Sequence, residues 1–107
     1  MDVYDKLLEN GISLSQKDIE FIVSRYDIKE LSIFGSSIRN DFNENSDIDL
    51  LIEFKNSNNI SLFDLIEIQE YFEKITNRSV DLVEPEGLKN PYRREGILRS
   101  KETIYVA

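Results

Sequence analysis

Hydrophobic spacing along the chain switches between two periods, and each switch marks an element. Ile19, Ile22, Val23 and Tyr26 fall at helical intervals behind Ser15, which precedes Gln16-Lys17-Asp18 like an N-cap with an acid three residues on. That predicts a helix over about 16–26, preceded by a short helical start ending near Gly11. Leu65, Ile68, Phe72 and Ile75 recur at i, i+3, i+7 and i+10 behind Ser61-Leu62-Phe63-Asp64, predicting a second amphipathic helix over about 61–76. Between them the period drops to two. Leu31 to Gly35 reads as a strand, Ser37 to Asn40 as one helical turn, and Asp41 to Ser46 as a loop. Asp47 to Phe54 or Lys55 reads as a second strand. Ser79 to Glu84 is a third, and a strand-helix-strand crossover of this length predicts a parallel, right-handed pair. Pro85, Gly87 and Pro91 mark a loop, Tyr92 to Ser100 a short basic helix, and Thr103 to Val106 a last strand or docked tail.

The stretch LSIFGSSIRNDFNENSDIDLLIEF, Leu31 to Phe54, holds the chemistry. Alternation puts Asp47, Asp49, Leu51 and Glu53 on one face of the second strand and Ile48, Leu50, Ile52 and Phe54 on the other. Paired carboxylates at the head of such a strand are costly unless something compensates their charge, and a divalent cation is one ordinary compensation. Asp81 falls on the matching face of the third strand, opposite to Val80 and Leu82. Glu53 lies farther along and reads as structural or rim. Arg93, Arg94 and Arg99 read as a solvated helix face, and Lys55 receives no role.

Composition narrows the chemistry. The 107 residues suit one compact domain, 1–107, able to bury one core. With neither cysteine nor histidine, disulfides, thiolate metal sites and imidazole catalysis are excluded. Lys and Arg total 13 against 21 acids, and the net charge of −8 disfavours direct nucleic-acid binding. No apolar run reaches the roughly 18–20 residues of a membrane helix, and MDVYDKLLENG lacks a signal-peptide pattern, so a cytoplasmic protein is expected.

Gly35-Ser36, then ten residues, then Asp47-x-Asp49, with Asp81 on a later strand, resembles the nucleotidyltransferases of the DNA polymerase β superfamily. Within them it is most similar to the minimal nucleotidyltransferases that act as antitoxins beside HEPN-domain toxins. The likeness runs from about Ile19 to Val106. It implies an α/β fold, a small mixed sheet with helices packed on it. It also implies two Mg²⁺ ions held by Asp47, Asp49 and Asp81, with ATP as substrate and Gly35, Ser36 and Arg39 on its phosphates. Such ions sit about 3.5–4 Å apart and clamp the attacking and leaving oxygens. Ile38 and Asn40 stand where the family often has Ala and Gly, which makes the turn's backbone less permissive.

The activity implied is transfer of AMP to a tyrosine hydroxyl of a HEPN ribonuclease toxin. One alternative is an antitoxin that neutralises by contact alone. Another is a nucleotidyltransferase for a small hydroxylated molecule, for which a chain this short has no acceptor domain. A homo-oligomer that closes the site is compatible with the sequence.

Overall fold

The computed structural model describes residues 2–107, with Ser57 described by its backbone alone. Its helices are α1 (Val3–Glu9), α2 (Gln16–Arg25), α3 (Leu62–Thr76) and α4 (Pro91–Ser100), and its strands β1 (Ile28–Phe34), β2 (Ile48–Phe54), β3 (Val80–Val83) and β4 (Glu102–Val106). The strands form one mixed sheet in the order β3-β2-β1-β4. β2 and β3 run parallel across the α3 crossover, whereas β1 lies antiparallel to both β2 and β4.

The helix starts follow from reciprocal capping. The Ser15 hydroxyl accepts from the Asp18 N–H at 3.2 Å while the Asp18 carboxylate accepts from the Ser15 N–H at 2.9 Å. Ser61 and Asp64 repeat the device on α3 at 3.2 and 2.9 Å. Losing such a cap costs about 1 kcal/mol. α3 stops at Asn77, which takes a left-handed backbone (φ +56°) and closes on the Glu73 carbonyl at 2.9 Å.

One face of the sheet is fully packed. Ile48, Leu50, Ile52 and Phe54 of β2 join Leu31 and Ile33 of β1, with Ile68 and Phe72 of α3, Ile19 and Ile22 of α2 and Leu7 of α1 above them. The other face has a smaller cluster of Phe34, Leu51, Leu88 and Ile97, brought by α4. The edge strand β3 is tied to its own crossover helix. The Gln69 amide donates to the Val80 carbonyl at 2.7 Å, and the Val80 N–H donates to the Glu73 carboxylate at 3.0 Å.

Two boundary differences bear on the site, and the end of the chain takes one of its two expected forms. β1 begins at Ile28 rather than Leu31, because Asp27 adopts φ +50° and turns the chain directly out of α2. The helical turn spans Gly35–Ile38, two residues earlier than expected, since Gly35 at φ +77° leaves the strand immediately. The C-terminal segment is a strand, and it pairs with β1. No helix among the described residues is long and apolar enough to cross a membrane.

Candidate functional site

The strand register decides where the acids meet. Asp49 of β2 is the register partner of Asp81 of β3 on one side and of Phe34 of β1 on the other. Because parallel partners project to the same face, the Asp49 and Asp81 side chains emerge side by side. Asp47 lies just ahead of β2, two residues before Asp49, and shares its face. Asp47 and Asp81 are exposed and Asp49 is half-buried.

Gly35 follows Phe34 and so arrives directly over Asp49. A Cβ built on Gly35 would lie 2.3 Å from the Asp49 Oδ2, closer than any real contact. The missing side chain is therefore a spatial requirement as well as a conformational one, since φ +77° disfavours any β-carbon. Ser36 opens the short turn behind it, and the buried Ser37 hydroxyl donates to the Phe34 carbonyl at 3.2 Å, fixing the bend to the strand end.

The electrostatics converge on Asp49. Burial first, then the charge of Asp81, then that of Asp47, push its carboxyl above the ordinary carboxylate range. Arg93 and, more weakly, Arg39 pull it back. The three acids thus stand within each other's field, although no three acidic side chains among the described residues are already gathered in cation-ligating geometry. Register and field depend on where the strands lie, whereas ligation also depends on the rotamers of Asp47 and Asp81, which are exposed and free to turn. The donor set fits a hard divalent cation: carboxylate oxygens only, from two adjacent strands and the residue leading into one of them, with Gly35 giving the Asp49 carboxylate its room.

Arg39 falls outside the Gly35–Ile38 turn and has an extended backbone. Its guanidinium grips Asp41 through two hydrogen bonds of 3.0 and 3.3 Å. Arg93, Arg94 and Arg99 are all exposed, as expected of a solvated helix face. Arg94 donates to the Pro85 carbonyl at 2.7 Å, Arg99 pairs with Glu95, and Arg93 faces the acids. Glu53 pairs with Lys29 at 3.2 Å, as a rim residue would. The role of Arg93 was not visible in sequence, because it depends on Leu88 and Ile97 anchoring α4 over Phe34 and Leu51.

A family model for the nucleotidyltransferase domain matches residues 16–104, from the first turn of α2 into β4. The chain belongs to that family. Among its relatives, a provisionally named protein adenylyltransferase of Methanocaldococcus jannaschii is 34% identical over 101 residues, covering 94% of this chain and 99% of that protein. Protein adenylyltransferase MntA of Thermococcus cleftensis is 32% identical over 101 residues, covering 92% of each. A solved structure provisionally described as a minimal nucleotidyltransferase superposes with a TM-score of 0.67 at 27% identity, covering 99% of this chain and 97% of the other. A crystal structure of a toxin–antitoxin pair with AMP-PNP reaches a TM-score of 0.68 at 16% identity, covering 88% and 75%, and shares the fold. This nucleotidyltransferase therefore carries its three acids and its Gly-Ser bend on the sheet of a minimal nucleotidyltransferase.

Proposed function

We propose that the chain is an Mg²⁺-dependent protein adenylyltransferase, acting as a single cytoplasmic domain. It moves AMP from ATP to a tyrosine hydroxyl of a HEPN-type ribonuclease toxin and thereby serves as its antitoxin. The observation that carries this reading is the pairing of Asp49 with Asp81 against a glycine whose absent Cβ makes room for the Asp49 carboxylate. The names of the relatives support adenylyl transfer to a protein, and the toxin–antitoxin neighbour supports the kind of partner.

Asp47, Asp49 and Asp81 hold the metal in this reading. Bound there, Mg²⁺ supplies positive charge for the phosphoryl oxygens and for the attacking and leaving oxygens of an in-line displacement. Gly35 lets the backbone approach the triphosphate, and the Ser36 hydroxyl donates to its terminal phosphates. Arg39 reaches the same phosphates once it releases Asp41. Asp81, the most exposed of the strand-borne pair, accepts the proton of the acceptor hydroxyl at a carboxylate oxygen as the bond to the α-phosphorus forms. The leaving pyrophosphate departs toward the Gly35-Ser36 bend. The acceptor hydroxyl is brought to the acids on the partner's own surface.

The test is incubation with α-labelled ATP, Mg²⁺ and the product of the neighbouring reading frame. Label appears on that protein, and Asp47→Asn with Asp49→Asn lowers transfer by roughly 10³-fold or more, the equivalent of several kcal/mol of metal stabilisation. An unlabelled partner that is nevertheless neutralised rejects the transferase reading.

One observation favours a second reading, neutralisation by contact. α3 carries more apolar surface than its buried stripe uses, with Leu62 70% exposed, Phe63 81% and Ile66 41%. Under that reading the double Asn variant still silences the toxin, whereas Phe63→Ser with Leu62→Ser does not.

A further inference from the structure

Arg78 lies between α3 and β3, three residues before Asp81, and its guanidinium reaches across to the connector that leads into Asp47. It donates to the Asn43 carbonyl at 2.9 Å and to the Ser46 carbonyl at 3.1 Å. Its central carbon also sits 4.3 Å from the centroid of the Phe42 ring. Ser46 is the residue immediately before Asp47. Phe42 also packs against the main core and the Asn10 amide donates to the Arg39 carbonyl at 3.1 Å, while the part nearest Asp47 is closed by short local bonds, Asn45 N–H to the Asn43 side chain at 2.8 Å and Asn43 N–H to the Ser46 hydroxyl at 3.1 Å. Its attachment to the neighbouring strand is the arginine and the bond from the Ile48 N–H to the Ser79 carbonyl at 2.9 Å.

Backbone carbonyls, rather than a carboxylate, satisfy this guanidinium: among the described residues Arg78 makes no ion pair. Both bonds leave one nitrogen, Nη1, while the guanidinium carbon lies over the Phe42 ring; an ammonium could donate to both carbonyls but carries no planar group to set over that ring. Asp47 precedes β2 and is exposed, so the β2 ladder does not fix it as it fixes Asp49.

We propose that Arg78 is a positioning residue: by tying the connector ending at Ser46 to the segment leading into Asp81, it sets the placement of Asp47 relative to Asp81. In doing so it sets the affinity of the carboxylate site for a divalent cation. This rests on the reading of Asp47, Asp49 and Asp81 as metal-holding, so the experiment separates the two claims.

Mn²⁺ binding to the otherwise metal-free protein is titrated by electron paramagnetic resonance, well below the melting temperature of each variant. Arg78→Ala weakens Mn²⁺ binding by roughly 10–100-fold, as removal of outer supports of metal ligands does. Arg78→Lys recovers part of the loss but not the share owed to the ring contact, and Phe42→Leu, which keeps an apolar side chain but removes the ring, falls between wild type and Arg78→Ala. Combining Arg78→Ala with Asp47→Asn binds no more weakly than Asp47→Asn alone, because the arginine acts through that carboxylate. Wild-type affinity in Arg78→Ala, with Asp47→Asn weakened, overturns the role of Arg78 and leaves the metal reading standing. Full recovery by lysine overturns the clamp in favour of bare charge. Unchanged affinity in Asp47→Asn removes the metal reading and this inference together.

Discussion

The two faces of the sheet are built to different standards. Under α2 and α3 every inward β2 position is aliphatic or aromatic, and Phe72, Ile68 and Ile52 are essentially sealed from solvent. Under α4 the same strand alternates Asp49, Leu51 and Glu53, and only Leu51 is buried. The packed face fixes the strands. The half-covered face then spends that rigidity on holding three like charges near one another, an arrangement that would not assemble by itself.

Truncation should separate the two faces most clearly. Phe72→Ala should cost about 3–5 kcal/mol in urea unfolding, whereas Ile97→Ala, at the rim of the smaller cluster, should fall near 2 kcal/mol at the low end for aliphatic truncations. Equal costs would mean that α4 contributes as much to the core as α3 does.

Gly35 sits at the junction of the two faces. Gly35→Ala should destabilise by about 1–2 kcal/mol from its left-handed backbone alone. The clash with Asp49 adds to this, so the same substitution in an Asp49→Ala background should cost measurably less. A double-mutant cycle with no coupling would place the whole cost in the backbone.

Under the proposed function Asp49 must be ionised to hold a cation, and it then sets the acidic limb of transfer activity. Its carboxyl lies above the ordinary range, so activity should fall already at a pH above that of an isolated aspartate. Arg93→Ala removes an influence that lowers it and should move the limb higher still; Arg39→Ala should do the same to a smaller extent. A limb that moves down in Arg93→Ala would break the assignment.

The smallest effect is on stability. Since the folded state raises the Asp49 pKa, the fold binds that proton more tightly than the unfolded chain does, and stability drains away as pH rises from the unfolded carboxylate value through the folded one. In metal-free protein Asp49→Asn should therefore raise the melting temperature at neutral pH by roughly a few degrees. The gain should vanish below about pH 4, where the unfolded carboxyl is protonated too. No gain at neutral pH would mean that the acids do not oppose folding.

Much of this was legible in the residues because each rule concerned is local. Ser15 with Asp18 and Ser61 with Asp64 announce their helices through a three-residue reach, and Asp47-x-Asp49 announces a shared face through a period of two. The Gly35-Ser36 bend was legible as a stop, and the structure moves only its extent. What escaped depends on contacts between distant segments. The pairing of β4 with β1 is set by a return of the chain some seventy positions later, as in Leu31 opposite Tyr105. Arg78 follows the helix-ending Asn77 and resembles ordinary loop punctuation until the fold sets it beside Phe42.

The short bonds from Gln69 and Glu73 to Val80 reach beyond the crossover they belong to. By alternation, β3 turns the peptide groups of Val80 and Leu82 outward, and half of that border is already occupied by the protein's own helix. An incoming extended peptide would have to displace both side chains before gaining a ladder there. The border nearest Asp81 is thus guarded against templated stacking, and whatever recognises this end of the molecule must do so through side chains rather than by lengthening the sheet.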